Sequence, residues 1–263
     1  MSVFRPGWLT ARPVAHRGLH NPARGIIENS ASAARAAVDK RYAIECDVQI
    51  SADGEAMVFH DYTLDRLTGE TGRVDARPAR FLTECTLRHS ADRVLTLHDF
   101  LQLIDRRVPV ICEIKSRFDG DLRLAERVAA VTAAYAGPVA LKSFDPVAMA
   151  YLHRNRRPLR IRYTPLGMVA QADYDDPADE WSVLDDEARF ALANFLHYRE
   201  TVPDFLSYCV DDLPDAVPFL CRSGIGIPLM AWTVRKPHQL EAARQWADQV
   251  IFEGEVLDQA ASA

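Results

Sequence analysis

Short apolar runs recur along the chain at 13–17, 43–49, 108–115, 138–144, 158–164, 205–210, 228–234 and 249–253. Each is long enough for a buried strand and too short for a buried helix. Helix-like stretches lie between them at 29–41, 97–106, 121–135, 145–155, 186–199, 212–223 and 237–247. This alternation is the pattern of repeated βα units around a parallel sheet. Eight strands predict a closed (β/α)8 TIM barrel, with a doubly wound open sheet as the alternative. The first βα turn carries His16-Arg17-Gly18 in place of a glycine-rich fingerprint, which argues against a dinucleotide cofactor. No repeat, low-complexity tract or Gly/Ser linker divides the chain, so residues 1–263 are expected to form one domain.

One further strand-like run, 55–61, follows the second strand after a link too short for a parallel crossover. It must turn back as a hairpin. With Asp53-Gly54 as a two-residue turn, Ala52 pairs with Glu55 and the ladder sets His60 opposite Asp47. Residues 62–96 are polar and less periodic, and they read as an insertion at the barrel mouth. Residues 165–185, rich in Asp with Tyr and Trp, read as a second long connection that either shapes a pocket or is plain surface.

Charge enters two of the apolar runs. In Ala43-Ile44-Glu45-Cys46-Asp47-Val48 and Val110-Ile111-Cys112-Glu113-Ile114-Lys115, buried acids are costly without a partner. Successive strand side chains alternate faces, so Glu45 and Asp47 project together, as do Glu113 and Lys115. Three inward carboxylates suggest a hard metal ion, and oxygen ligands favour Mg²⁺ or Ca²⁺ over zinc.

The chain has 263 residues and 48% hydrophobic content, enough for a sizeable core. A net charge of −6 with no basic stripe argues against a nucleic-acid partner. No apolar run approaches the roughly 20 residues needed to span a bilayer, and Met1 to Arg12 lacks a signal-like apolar region, so a soluble, cytoplasmic protein without membrane insertion is expected. Five irregularly spaced cysteines fit reduced buried thiols. Basic residues are nearly all arginine, which leaves Lys40, Lys115, Lys142 and Lys236 as the compact ammonium groups, with Lys115 beside an acidic strand end.

Taken in order, Ala15-His16-Arg17-Gly18, Glu28-Asn29-Ser30, Ile44-Glu45-Cys46-Asp47-Val48, Asp53-Gly54, Phe59-His60-Asp61, Glu113-Ile114-Lys115, Ser143-Phe144 and Trp232-Thr233-Val234 resemble the glycerophosphodiester phosphodiesterase family over most of the chain. The resemblance implies a phosphodiesterase TIM barrel that uses a divalent cation and cleaves glycerophosphodiesters, small soluble molecules, to glycerol 3-phosphate and an alcohol. It implies His16 and His60 as the acid/base pair and Glu45, Asp47 and Glu113 as metal ligands. Two places depart from the family pattern. Ile27 stands where proline is common before Glu28-Asn29, and the last strand ends in Phe252-Glu253 rather than Thr-Asp.

Cleaving a phosphodiester requires charge to be offset, a nucleophile activated and a leaving alkoxide protonated. Arg17 and Lys115 are candidate phosphate contacts, although Arg17 would also suit a salt bridge to Asp61 or Glu28. Trp232 is either core packing or an apolar wall for the glycerol, and Ser143 and Phe144 divide in the same way. Asn29 is expected to cap the following helix, with Glu28 near its positive end. His20, His89, His98, His153, His197 and His238 are expected in loops or helices as surface groups or caps. Which histidine is the base, and whether water or the neighbouring glycerol hydroxyl attacks, stays open. A phospholipase D-like enzyme on lysophospholipids and a non-catalytic glycerophosphodiester-binding barrel are the other readings. A metal-dependent amidohydrolase would need a His-x-His pair that the first strand lacks.

Overall fold

A strand covered on both faces needs no polar alternation, and the parallel strands of this chain are buried almost end to end. The computed structural model describes residues 6–176 and 180–261. Its strands are β1 (Val14–Ala15), β2 (Ala43–Ile50), β3 (Ala56–Val58), β4 (Leu95–Thr96), β5 (Val110–Ile114), β6 (Val139–Ser143), β7 (Leu166–Ala170), β8 (Phe205–Cys209), β9 (Leu229–Val234) and β10 (Gln249–Phe252). β1 pairs in parallel with both β2 and β10, and the remaining parallel pairs run from β10 through β9, β8, β7, β6 and β5 back to β2. The eight parallel strands therefore close into a barrel, and β3 and β4 extend it antiparallel from β2. Because β1 is short, the later part of β2 has a free edge, and β3 takes it.

Inside the barrel, Leu9, Val14, Ala43, Ile111, Ala140, Phe205, Met230 and Ile251 form an apolar floor. A larger core packs the outer strand faces against the surrounding helices. Segment 62–96 has a third cluster, in which Leu64, Leu67, Val74, Leu82, Leu87 and Val94 close over Met57 and Phe59 from the hairpin. The insertion is thus seated on apolar side chains.

Several expected elements move. The expected strand at 158–164 is a run of turns with only Ile161 buried, and the barrel strand is Leu166–Ala170, inside the expected connection. The alternating Leu-Arg-Ile-Arg-Tyr pattern mimics a half-exposed strand, whereas a parallel barrel strand reads as one continuous apolar run. The hairpin turn holds three residues: Ser51 N–H donates to Glu55 O (2.9 Å), and Gly54 takes the left-handed conformation (φ 86°). The ladder therefore slips by one, so that Phe59, not His60, donates across to Asp47 O (3.0 Å). The helix expected over 186–199 divides into Asp186–Ala193 and Tyr198–Thr201. That over 212–223 is a single turn, Ala216–Phe219, running into a π-helical stretch, Leu220–Ile225. All five cysteines are unpaired.

Phe205 fills the floor only because β7 has glycine beside it: a Cβ on Gly167 would lie 2.3–2.6 Å from the Phe205 ring. Gly167→Ala is expected to destabilise the fold by about 1–3 kcal/mol through overpacking, read as a lower urea midpoint. An unchanged midpoint would mean that the ring swings aside freely.

Candidate active site

Two residues beyond six of the eight floor residues, the same inward face carries side chains with polar groups. Val14 is followed by His16, Ala43 by Glu45, Ile111 by Glu113, Ala140 by Lys142, Met230 by Trp232 and Ile251 by Glu253. Strand alternation alone sets this second layer at the C-terminal ends of the strands, where loops can cover it. A cavity of about 430 Å³ opens there, lined by His16, Arg17, Asp47, His60, Glu113 and Lys115 on its charged side.

One ligand oxygen from each of Glu45, Asp47 and Glu113 lies within 4.8 Å of the others, and all three residues are buried. The all-oxygen donor set fits a hard divalent cation such as Mg²⁺ or Ca²⁺. Lys142, 2% exposed, places Nζ 3.2 Å from Glu45 Oε1 and 3.0 Å from Glu113 Oε2. Lys115 Nζ lies 3.3 Å from the other Glu113 oxygen, and Arg17 Nε lies 3.2 Å from Asp47 Oδ2. The three carboxylates thus face three cationic side chains. Glu45 Oε1 accepts no hydrogen bond despite its ion pair with Lys142, which leaves lone-pair capacity at the centre of the group. Burial pushes Lys142 down, but the charges of Glu45 and Glu113 outweigh it and hold the ammonium protonated well above its ordinary range. Burial likewise raises Asp47 and Glu113, and the surrounding cations return both below the usual carboxylate range.

The turn after β1 aims Arg17. Its own φ is 55° and that of Gly18 is 79°, and a side chain at Gly18 would meet Ala33 at 2.9 Å. Arg17 N–H donates to Glu45 Oε2 (3.1 Å), and its guanidinium donates to Glu28 Oε1 (2.7 Å). Asn29 donates to Asp47 Oδ2 (2.9 Å) and accepts from Asp47 N–H (3.2 Å). The helix cap expected there is instead Ser30, whose Oγ accepts from Ala33 N–H (3.1 Å).

Each histidine rests on a carboxylate. An ionised carboxylate only accepts, so both contacting Nδ1 atoms are donors. His16 Nδ1–H donates to Glu253 Oε1 (2.5 Å), and Arg235 grips Glu253 through Nε (2.7 Å) and a terminal nitrogen (2.9 Å). His60 Nδ1–H donates to Asp61 Oδ1 (2.7 Å), and Arg66 grips Asp61 in the same forked manner (2.6 and 2.7 Å). Arg66 also reaches Glu28 (2.8 and 3.0 Å), which joins the insertion to Arg17. Burial raises Glu253 and Asp61, but donation from the histidine and arginine on each, with His20 also 3.9 Å from Glu253, takes both well below the usual range.

Across the cavity, Phe144, Trp181 and Trp232 make an aromatic wall, with Phe144 edge-on to Trp232 (5.5 Å, 90°) and Tyr174 edge-on to Trp181 (5.0 Å, 80°). Gln171 and Trp181 bring segment 165–185 into the pocket. Ser143, by contrast, is spent on Ile114 O (2.7 Å). All eight residues singled out as site candidates are assembled here: His16, Arg17, Asp47, His60, Glu113, Lys115 and Trp232 line the cavity, and Glu45 sits beneath it. Sequence reasoning named Lys142 and Glu253 without giving either a place in the site, and read His20 as a surface group or cap, though its side chain is only 15% exposed. The signal for the first two was a charged residue two positions after an inward apolar one, the same signal that marked Glu45 and Glu113.

Comparison with known proteins identifies a family with this fold. The model of the glycerophosphoryl diester phosphodiesterase family matches residues 16–260. A glycerophosphodiester phosphodiesterase of Caldanaerobacter subterraneus is 24% identical over 238 residues, covering 87% of each chain. Among solved structures, an Oleispira antarctica phosphodiesterase in complex with the product sn-glycerol-3-phosphate superposes with a TM-score of 0.73 at 17% identity, over 95% of this chain and 96% of that one. A glycerophosphodiester phosphodiesterase from Thermotoga maritima gives 0.68 at 20% identity, over 95% and 97%.

Removing one partner of a buried ion pair strands the other, at a cost of about 3–5 kcal/mol. Lys142→Met is expected to destabilise the protein by that order in chelator-treated solution, and adding Glu45→Gln should recover part of it, as read in a double-mutant cycle by urea unfolding. Asp61 and Glu253 hold lowered values in the folded chain and ordinary values near about 4 when unfolded. Their contribution is therefore present above about pH 4 and lost as pH falls further, because the unfolded state then binds more protons. Urea midpoints should hold between about pH 7 and 5 and drop below about pH 4, less steeply in Arg66→Met.

Proposed function

Since the chain belongs to the glycerophosphoryl diester phosphodiesterase family and is an enzyme of that activity, we propose that it hydrolyses glycerophosphodiesters to glycerol 3-phosphate and an alcohol with His16 and His60 as the acid/base pair. The observation that carries this reading is the pairing of two histidines, each with Nδ1 tied to a carboxylate, in one cavity beside the acidic triad. With Nδ1 occupied, Nε2 is the nitrogen left on each ring to move a proton. One ring takes the nucleophile's proton at Nε2, and the other gives a proton to the departing alkoxide oxygen, so the pair ends with its protons exchanged.

Glu45, Asp47 and Glu113 would hold Mg²⁺ or Ca²⁺, which when bound supplies positive charge to polarise the phosphoryl oxygens. The carboxylate charge is already matched by Arg17, Lys115 and Lys142, so a phosphate monoanion meets a net positive site once the cation is in place. Arg17 and Lys115 contact the phosphate oxygens from the cavity wall. Trp232 and Phe144 present carbon surface to the glycerol skeleton and keep water from that side.

Phosphorus NMR of the purified protein with glycerophosphocholine, run with Mg²⁺, with Ca²⁺ and with a chelator, tests this. Turnover to glycerol 3-phosphate is expected only with a cation, and His16→Ala or His60→Ala should lower kcat by about 10²- to 10⁴-fold. A transient cyclic phosphate signal would identify the glycerol hydroxyl as nucleophile, and its absence would favour water. Full activity in either histidine variant would overturn the acid/base assignment.

A further inference from the structure

The geometry points to Glu253, clamped by Arg235, as the positioning residue for His16: it holds the ring with Nδ1 protonated and Nε2 facing the cavity. The inference rests on the reading of His16 as an acid/base residue. Register brings the two together. β1 pairs with β10 at Ala15 and Phe252, so His16 and Glu253 are the next inward neighbours, and His16 N–H donates to Phe252 O (2.9 Å). On its other side β1 pairs Ala15 with Ile44, which sets His16 beside Glu45, where Nε2 stands 3.9 Å from Oε2, beyond hydrogen-bond reach. Backbone pairing thus fixes where the ring starts, and the Glu253 carboxylate fixes which way it turns.

A simple surface ion pair with Arg235 would explain Glu253 without His16, but the distances argue otherwise. The shortest contact of Glu253 is to His16 (2.5 Å), and the carboxylate side chain is 19% exposed while the Arg235 side chain is 52% exposed. Arg235 reaches in from the rim to hold the carboxylate. Its forked contact uses both Glu253 oxygens, and Oε1 faces His16 at the same time. This keeps the carboxylate plane from rotating away when the ring gains a proton. His60 shows the same three-part construction with Asp61 and Arg66, built from neighbouring residues rather than from opposite ends of the chain.

Three readouts test the assignment. Nitrogen-15 NMR of histidine-labelled protein, with the His16 signals assigned from His16→Gln, should show Nδ1 protonated in the wild type and a shift toward the Nε2-protonated tautomer in Glu253→Ala. With glycerophosphocholine and Mg²⁺, Glu253→Ala should lose about 10- to 100-fold in kcat with KM changed less than about threefold, part of what the general acid or base contributes. Glu253→Asp should restore most of it, and Arg235→Met should show a smaller loss of the same kind. Thermal unfolding of each variant separates these effects from misfolding. Wild-type kcat in Glu253→Ala, or a lowered kcat with the His16 tautomer unchanged, would overturn the proposal while leaving the acid/base pair intact. Full activity in His16→Ala would remove the premise instead.

Discussion

A buried ammonium shared by two buried carboxylates holds the upper layer of this barrel together. Lys142 sits between Glu45 and Glu113, and those strands carry the rest of the cluster with them. Neither acid could stay charged in the interior alone, and neither could the lysine. Lys142, with Lys115 on the second Glu113 oxygen, offsets both carboxylate charges and allows a polar layer to rest directly on an apolar floor. The alternation of strand side chains does the sorting, because a residue's parity along each strand decides whether it joins the floor, the charged layer or the outer core. A shift of one residue in any strand would exchange those roles.

From this centre, charge pairing runs outward in two directions. Asp47 leads through Arg17 and Glu28 to Arg66 in the insertion, and Arg66 leads back to Asp61 and His60. On the other side Glu253 links His16 to Arg235 at the rim. The two histidines therefore reach the cavity by different routes. His16 is held by barrel closure, whereas His60 depends on a hairpin seated on the separate apolar cluster under segment 62–96. Removing apolar residues from that cluster would disturb one histidine and spare the other.

Most of this was legible in local pattern. The acidic strand ends, the hairpin and the barrel itself follow from run lengths and from charge placed within apolar runs. What escaped did so for separate reasons. Lys142 and Glu253 each stand two positions after an inward apolar residue, but their partners come from strands that meet only in the barrel, β6 beside β5 and β10 on β1, the latter contact 237 residues apart in sequence. The hairpin register failed by one residue because Ser51 bonds past Asp53-Gly54 and lengthens the turn. β7 was displaced because alternation at 158–164 resembles an exposed strand, while Leu-Gly-Met-Val-Ala shows the unbroken apolar character of a covered one. Glycine within that run looks like a weakness until Phe205 is seen to fill the space.

The floor has a consequence for traffic. Val14, Ala140, Phe205, Met230 and Ile251 seal the barrel beneath the charged layer, so the interior is a well rather than a conduit. A diester enters as one molecule and departs as two, and both fragments must use the opening by which the parent arrived. Every molecule that arrives or leaves therefore passes the aromatic and arginine side chains around the opening, which lie on the path of a full cycle without touching the bond that breaks.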